Sequence, residues 1–312
     1  VDEAGRDAVR VAWLAGCLVA AAWALNPINL MAVLFVVQRM ESLCHTFVFG
    51  GLWLYLTGRK RLLATGKGWL PLLGGLIGGT MVGLLAKESA ALLPLYALGL
   101  EWSLLGWAGK GGAPDRCLQG TFAVVLGLPA VLGLDWLLSK VFSAAAYAGR
   151  SFSLGERLLT ETRVLVDYLH WTLLPNLGQL SLYHDDYPVS HGWLAPPSTL
   201  AAALLLIALV VGMVWLRGRR PLMALGLAWF FIAHLLTATV IPLELVYEHR
   251  NYFASLGPCL LLGDVLLRLP RKESARRTGA LAAIAVLALY TGLTALRARD
   301  WQSPLQFSTT EA

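Results

Sequence analysis

Apolar residues in this chain fall in runs of about 17–22 residues, separated by short charged gaps, and each run is long enough to cross a ~30 Å hydrocarbon core as a helix. Apolar and polar residues do not alternate every second position, as the spans of a membrane β-barrel would. The pattern predicts nine spans, over 9–25, 41–58, 69–86, 89–105, 118–139, 198–216, 221–241, 253–270 and 278–296. The third and fourth are divided only by Lys87-Glu88-Ser89, read as a tight reversal rather than a kink in one long helix. The fold class is therefore all-α: a polytopic transmembrane helical bundle.

Three segments between the runs have a different pattern. In the first, Asn26-Pro27 breaks the helix, and the apolar stretch Ile28 to Met40 is too short to span, which places it in the membrane interface. The second is the longest loop, about 140–197. Within it, Ser153-Leu154-Gly155-Glu156 has capping-box spacing and opens an amphipathic helix to about Leu174, ended by Pro175-Asn176. The third runs from Glu244 to Tyr252.

Composition agrees with a membrane protein. The chain is 57% hydrophobic and 14% charged, where a soluble domain carries about 25% charged residues. The net charge of +6 does not imply nucleic acid, because the basic residues flank the apolar runs. With the N-terminus in the cytoplasm, the inside loops hold Arg6, Arg10, Arg59, Lys60, Arg61, Lys67, Lys110, Arg116, Arg217, Arg219, Arg220, Arg268, Arg271, Lys272, Arg276 and Arg277. This orientation puts the three irregular segments, and with them the amphipathic helix, outside. Cys17, Cys44, Cys117 and Cys259 have no metal-ligand spacing and read as lipophilic side chains. The first residue is Val1 and no signal peptide precedes the first run, so a fragment of a longer chain is expected.

Four polar clusters lie on the outside. Lys87-Glu88 sits at the edge of apolar spans, where ionised groups pair or line a watery cavity; it reads as an interfacial turn with snorkelling side chains, or as a cavity that binds a phosphate or a sugar. Gln38-Arg39-Met40-Glu41 offers Arg39 as a planar phosphate clamp, or an interfacial salt bridge. Tyr183-His184-Asp185-Asp186-Tyr187 offers two carboxylates and a histidine for a divalent metal or a general base, with rings for stacking on sugars. Its plainer reading is a solvated loop with Asx turns. In Glu248-His249-Arg250, flanked by Tyr247 and Tyr252, Arg250 is placed to hold a lipid phosphate and Glu248 to orient it, or the triplet is an interfacial anchor. His45, His170 and His234 read as packing residues, and Gly74, Gly75, Gly78 and Gly79 as close helix packing. There is no P-loop, Rossmann glycine pattern, zinc motif or nucleophile elbow.

The order Asn26-Pro27-Ile28, Val36-Val37-Gln38-Arg39-Met40, Leu85-Ala86-Lys87-Glu88-Ser89 and Glu248-His249-Arg250-Asn251-Tyr252 resembles the membrane part of bacterial TMTC-like proteins. These are multispanning GT-C glycosyltransferases related to protein O-mannosyltransferases and followed by tetratricopeptide repeats. The resemblance implies sugar transfer from a polyprenyl-phosphate carrier to a protein acceptor on the non-cytoplasmic side. It implies a catalytic carboxylate in a first outside loop, ahead of Val1 together with two spans. Where relatives often have His-Pro this chain has Asn26-Pro27. Residues 1–300 then form the GT-C-like membrane domain, and 301–312, opening with Trp301-Gln302-Ser303-Pro304, lead towards the repeats. Arg39, Lys87, Glu88, Glu248, His249 and Arg250 become the lipid-phosphate site, and Tyr183 to Tyr187 the acceptor or sugar loop. The catalytic residue is left unassigned in this chain; Asp185 and Asp186 are secondary candidates that would help place the acceptor or a metal, and a divalent metal is a candidate cofactor. The alternatives are a transporter or flippase for a lipid-linked sugar, with charges near the bilayer midplane, and a non-enzymatic anchor for repeats.

Overall fold

The computed structural model describes residues 3–142, 144–268, 273–303 and 308. Arg271, Lys272 and most of the expected linker 301–312 lie outside the described residues. The described residues form helices and turns, with no named strand.

Helix α1 (Glu3–Ala24) stops where Asn26 caps the 3-10 turn Pro27–Asn29 by accepting a hydrogen bond from the Ile28 amide. The short α2 (Met31–Leu34) and a second 3-10 turn, Val36–Gln38, lead into α3 (Arg39–Thr65). The chain bends by 97° between Pro27–Leu34 and Val36–Thr65. Around the bend Ile28, Met31 and Ala32 are buried, while Val33, Val36 and Val37 are exposed. One apolar face against protein and one facing out is what an interfacial segment requires.

Next come α4 (Trp69–Leu73), the π-turn Gly74–Gly78 and α5 (Gly79–Leu84), which together make one irregular apolar rod. After Lys87, the 3-10 turn Glu88–Leu92 opens α6 (Leu93–Leu100). Two ion pairs fix the direction of α6. Glu41 at the start of α3 meets Lys87, and Arg59 near its end meets Glu101, each at 2.6 Å. The chain therefore reverses at Lys87-Glu88-Ser89 instead of running on as one helix. Of the four glycines in the rod, Gly75 and Gly79 approach the α3 backbone, and a Cβ on Gly75 would meet the Tyr55 amide at 2.6 Å. Gly74 and Gly78 face open space.

Helix α7 (Arg116–Trp136) is capped by Asp115 and continues as the π-turn Leu137–Val141. Helix α8 (Leu154–Leu173) starts at the predicted capping box: Ser153 accepts from the Glu156 amide, and Glu156 reaches back to the Ser153 amide. The remaining helices are α9 (Ser198–Leu216), α10 (Pro221–Ala233), α11 (Asn251–Ala254), α12 (Leu256–Leu267) and α13 (Glu273–Asp300).

Among the described residues, four helices are long and apolar enough to cross a membrane, Gly5–Ala24, Arg116–Val141, Ser198–Leu216 and Glu273–Asp300, or five if the bent pair counts as one span. Trp69–Leu84, Pro221–Ala233 and Leu256–Val265 are shorter apolar helices. Exposed residues such as Trp13, Val131, Val211 and Leu281 leave apolar surface that suits acyl chains, and these long apolar helices suggest a multi-pass membrane protein. The predicted span 221–241 is cut short, because the helix ends at Ala233. Arg157 of α8, fully buried, donates to the carbonyls of Thr237, Thr239 and Leu243. A guanidinium thus takes over acceptors that a longer helix would have used internally.

The polar contacts between helices gather at two ends of the bundle. At the basic end, Arg59 meets Glu101, Arg217 donates to the Trp102 carbonyl, and Asp264 lies between Arg220 and Arg268. At the loop end, Arg297 donates to the Pro27 carbonyl, Tyr147 to Val240 and Tyr168 to Tyr247. Between the ends, α10 and α12 cross at Gly226 and Gly257, where a Cβ on Gly226 would lie 2.5 Å from the Gly257 carbonyl oxygen. Tyr96 of α6 stacks on Phe253 with ring centroids 3.8 Å apart.

Candidate active site at the loop end

The reversal at Lys87, the start of α3 and the unwound chain after α10 surround a cavity of about 300 Å³. Its polar lining comes from Gln38, Glu41, His45, Lys87, Glu88, Glu244, Tyr247, His249 and Arg250, and Tyr96 and Phe253 line it with apolar surface. Residues from three of the four predicted clusters meet there.

Lys87 is the most tightly held cation of the cavity. Its ammonium lies 2.6 Å from Glu41 and donates to the Gln38 side chain at 3.0 Å. A lysine has three N–H donors, so one remains for a ligand. Glu41 also lies 3.3 Å from His45 Nδ1, which contacts the Glu41 carbonyl at 2.9 Å. Glu88 is exposed at the cavity rim.

Arg250 follows the buried Glu248-His249 pair in the 3-10 turn Glu248–Arg250. It donates to the carbonyls of Glu244 and Leu245, and its guanidinium lies over the Tyr247 ring. Tyr168 of α8 pins Tyr247 by accepting from its amide at 2.8 Å and donating to its carbonyl at 3.0 Å. His249 stays a neutral imidazole: burial, then Lys87 and Arg250, push it down to about 2.

Glu248 lies behind the cavity rather than in it. Its carboxylate sits 2.6 Å from Arg297 of α13 and 3.6 Å from His184 Nε2, and His184 stacks on Trp171. Arg297 also holds the Pro27 carbonyl. Glu248 therefore ties three chain segments together instead of orienting Arg250, which Glu244, Leu245 and Tyr247 hold. Within the acceptor-loop candidate, Tyr187 donates to Asp167 at 2.6 Å, while Tyr183, Asp185 and Asp186 are exposed. Arg39 does not join the cavity: it is exposed and donates to the Val33 carbonyl at 2.9 Å. Its neighbours Gln38 and Met40 line the cavity instead.

Sequence reasoning named Glu41 only within the cluster around Arg39, passed over His45 and Tyr96 as site residues, and gave no role to Arg157, which lies outside the cavity lining. The acid at the mouth of an apolar span signals Glu41 in retrospect, because an ion there needs a partner. No local signal marks Tyr96, whose place depends on its stack with Phe253 far along the chain. Among the described residues no group of three His, Cys, Asp or Glu side chains is arranged to hold a metal ion. The cysteines are free, and Cys44 lies against the Lys87 carbonyl. No protein-family model matches the chain, and no curated protein or solved structure matches it either.

Proposed function

We propose that this protein is a membrane glycosyltransferase of the GT-C kind, moving a sugar from a polyprenyl-phosphate carrier to a protein acceptor on the non-cytoplasmic side. The observation that carries this reading is the loop-end cavity, where Lys87 and Arg250 share one lining with three carboxylates, Glu41, Glu88 and Glu244. Cations stabilise the departing phosphate, and a carboxylate takes the acceptor proton.

The roles divide by what each side chain already holds. Glu41 is engaged by Lys87 and His45, and Glu244 by Arg150 and Arg250. Glu88 is exposed and has no ion pair among the described residues, so it is the carboxylate assigned as base. The resemblance puts that carboxylate in an earlier loop; this cavity offers one of its own. The acceptor hydroxyl oxygen bonds to the anomeric carbon as its proton passes to Glu88. The bond from that carbon to the phosphate oxygen breaks, and polyprenyl phosphate leaves beside Lys87 and Arg250. Tyr247 and Tyr183 offer rings to the sugar, and Asp185 and Asp186 face the acceptor from outside.

The GT-C arrangement and the nine-span topology are part of this proposal, as is the periplasmic placing of the loop end in a bacterial inner membrane. A transporter would need its charged groups near the middle of the spans. Here Lys87, Glu41 and Arg250 lie at the loop end, and Arg59, Glu101 and Asp264 at the basic end. The test is to give membranes containing the protein a polyprenyl-phosphate-linked labelled sugar. Label in protein supports the enzyme; label crossing the bilayer on its lipid supports a flippase and removes this reading.

A further inference from the structure

The basic end carries a feature that the sugar chemistry does not use. The turn between α9 and α10 reads Arg217-Gly218-Arg219-Arg220. Arg217 stacks over Trp102, 5.1 Å from its ring centre, and donates through Nε to the Trp102 carbonyl. Arg219 stacks over Trp215 at 4.1 Å, and Arg268 of α12 donates to the Arg219 carbonyl. Arg220 and Arg268 share one buried carboxylate, Asp264, at 3.1 and 3.2 Å. Asp264 thus pairs with two of the four guanidinium groups, while Arg217 and Arg219 are exposed, stacked on tryptophan rings with no carboxylate partner among the described residues.

Beneath this turn, α9 presents an exposed apolar stripe at helical spacing: Leu204, Ile207, Val211, Val214 and Trp215. The stripe ends at the arginines. An apolar track capped by surplus positive charge matches a phospholipid, with acyl chains along α9 and the headgroup on the turn. We infer that the Arg217–Arg220 turn with Arg268 binds a phospholipid bearing two phosphates, of the diphosphatidylglycerol type. Two phosphates match the two arginines that Asp264 does not hold, Arg217 and Arg219, and each guanidinium presents a planar fork to phosphate oxygens.

The test uses the whole protein, purified in non-ionic detergent and stripped of lipid. Diphosphatidylglycerol, phosphatidylglycerol at twice the concentration, or phosphatidylcholine is added, and bound lipid is counted by native mass spectrometry. The variant Arg217→Gln/Arg219→Gln leaves the Asp264 pairs intact and so keeps the fold. The control Lys60→Gln/Arg61→Gln removes equal charge from exposed positions beside Arg59, at the same end. The expected result is one retained diphosphatidylglycerol, with binding roughly thirtyfold weaker in the arginine variant and unchanged in the control. Equal weakening in both variants, or equal retention of phosphatidylglycerol at matched charge, overturns the site and leaves diffuse attraction in its place.

Discussion

Lys87 and Glu41 meet at 2.6 Å although 46 residues separate them, and both side chains are almost fully buried. Their pairing closes the reversal between α5 and α6 and sets one wall of the cavity. Breaking a buried pair by removing one partner costs about 3–5 kcal/mol, because the other charge is left uncompensated. Glu41→Ala should therefore lower the thermal unfolding midpoint in detergent sharply, and Glu41→Gln less so. A wild-type midpoint for Glu41→Ala would show that the pair does not hold the reversal.

Arg157 holds the unwound chain after α10 by three carbonyls. Replacing it with leucine should speed hydrogen exchange over residues 235–245 while leaving α9 as protected as before. Equal exchange in both proteins would assign those acceptors to some other donor.

Glu161 lies 2.9 Å from Arg157. Burial, opposed by Arg157, holds its carboxyl up at about 7 against an ordinary 4.5. The folded state thus keeps a proton that the unfolded chain releases. Its contribution to stability is full below about pH 4.5 and is lost as the pH rises through about 7. Wild type should lose more of its unfolding midpoint across that window than Glu161→Gln; parallel curves would rule this out.

The capping box of α8 works in the opposite sense. The Ser153 amide, the His191 ring and the Ser153 hydroxyl hold Glu156 down at about 2. Its contribution is present above about pH 4.5 and fades as the pH falls towards 2. Ser153→Ala should cost about 1 kcal/mol near neutral pH. An unchanged midpoint would mean that α8 needs no cap because its buried face already fixes it.

At the crossing of α10 and α12 there is no room for a side chain on Gly226. Gly226→Leu should separate the two helices, displace Phe253 from Tyr96 and reduce recovery of folded protein. Gel filtration of the variant checks this, and a monodisperse peak at wild-type yield would contradict it.

The sequence made the long elements readable because each carries its own signal. α1, α7, α9 and α13 are uninterrupted apolar runs, and Ser153 with Glu156 announces α8 within four residues. The reversal at Lys87 was readable for a similar reason, since two ions cannot sit unpaired in an apolar helix. The site was only partly readable. Clusters around Lys87 and Arg250 stood out as local breaks in hydrophobicity, and the cavity joins them. Arg39 looked equivalent, but the helical turn beginning at Gln38 aims it at Val33 while Gln38 and Met40 face the cavity. Arg157 gave no signal, because on an amphipathic helix a buried arginine and an exposed one look the same. Only the long-range return of residues 237–243 decides between them.

The most direct test is the rate of labelled-sugar transfer by wild type, Arg250→Ala and Glu88→Gln in membranes. Glu88 is exposed and unpaired among the described residues, so its glutamine variant should fold normally. The account predicts that Glu88→Gln loses at least about 100-fold in kcat with KM little changed, as expected for a general base, and that Arg250→Ala loses both donor affinity and rate. Wild-type transfer in both variants would contradict the account and return the cavity to a purely structural role.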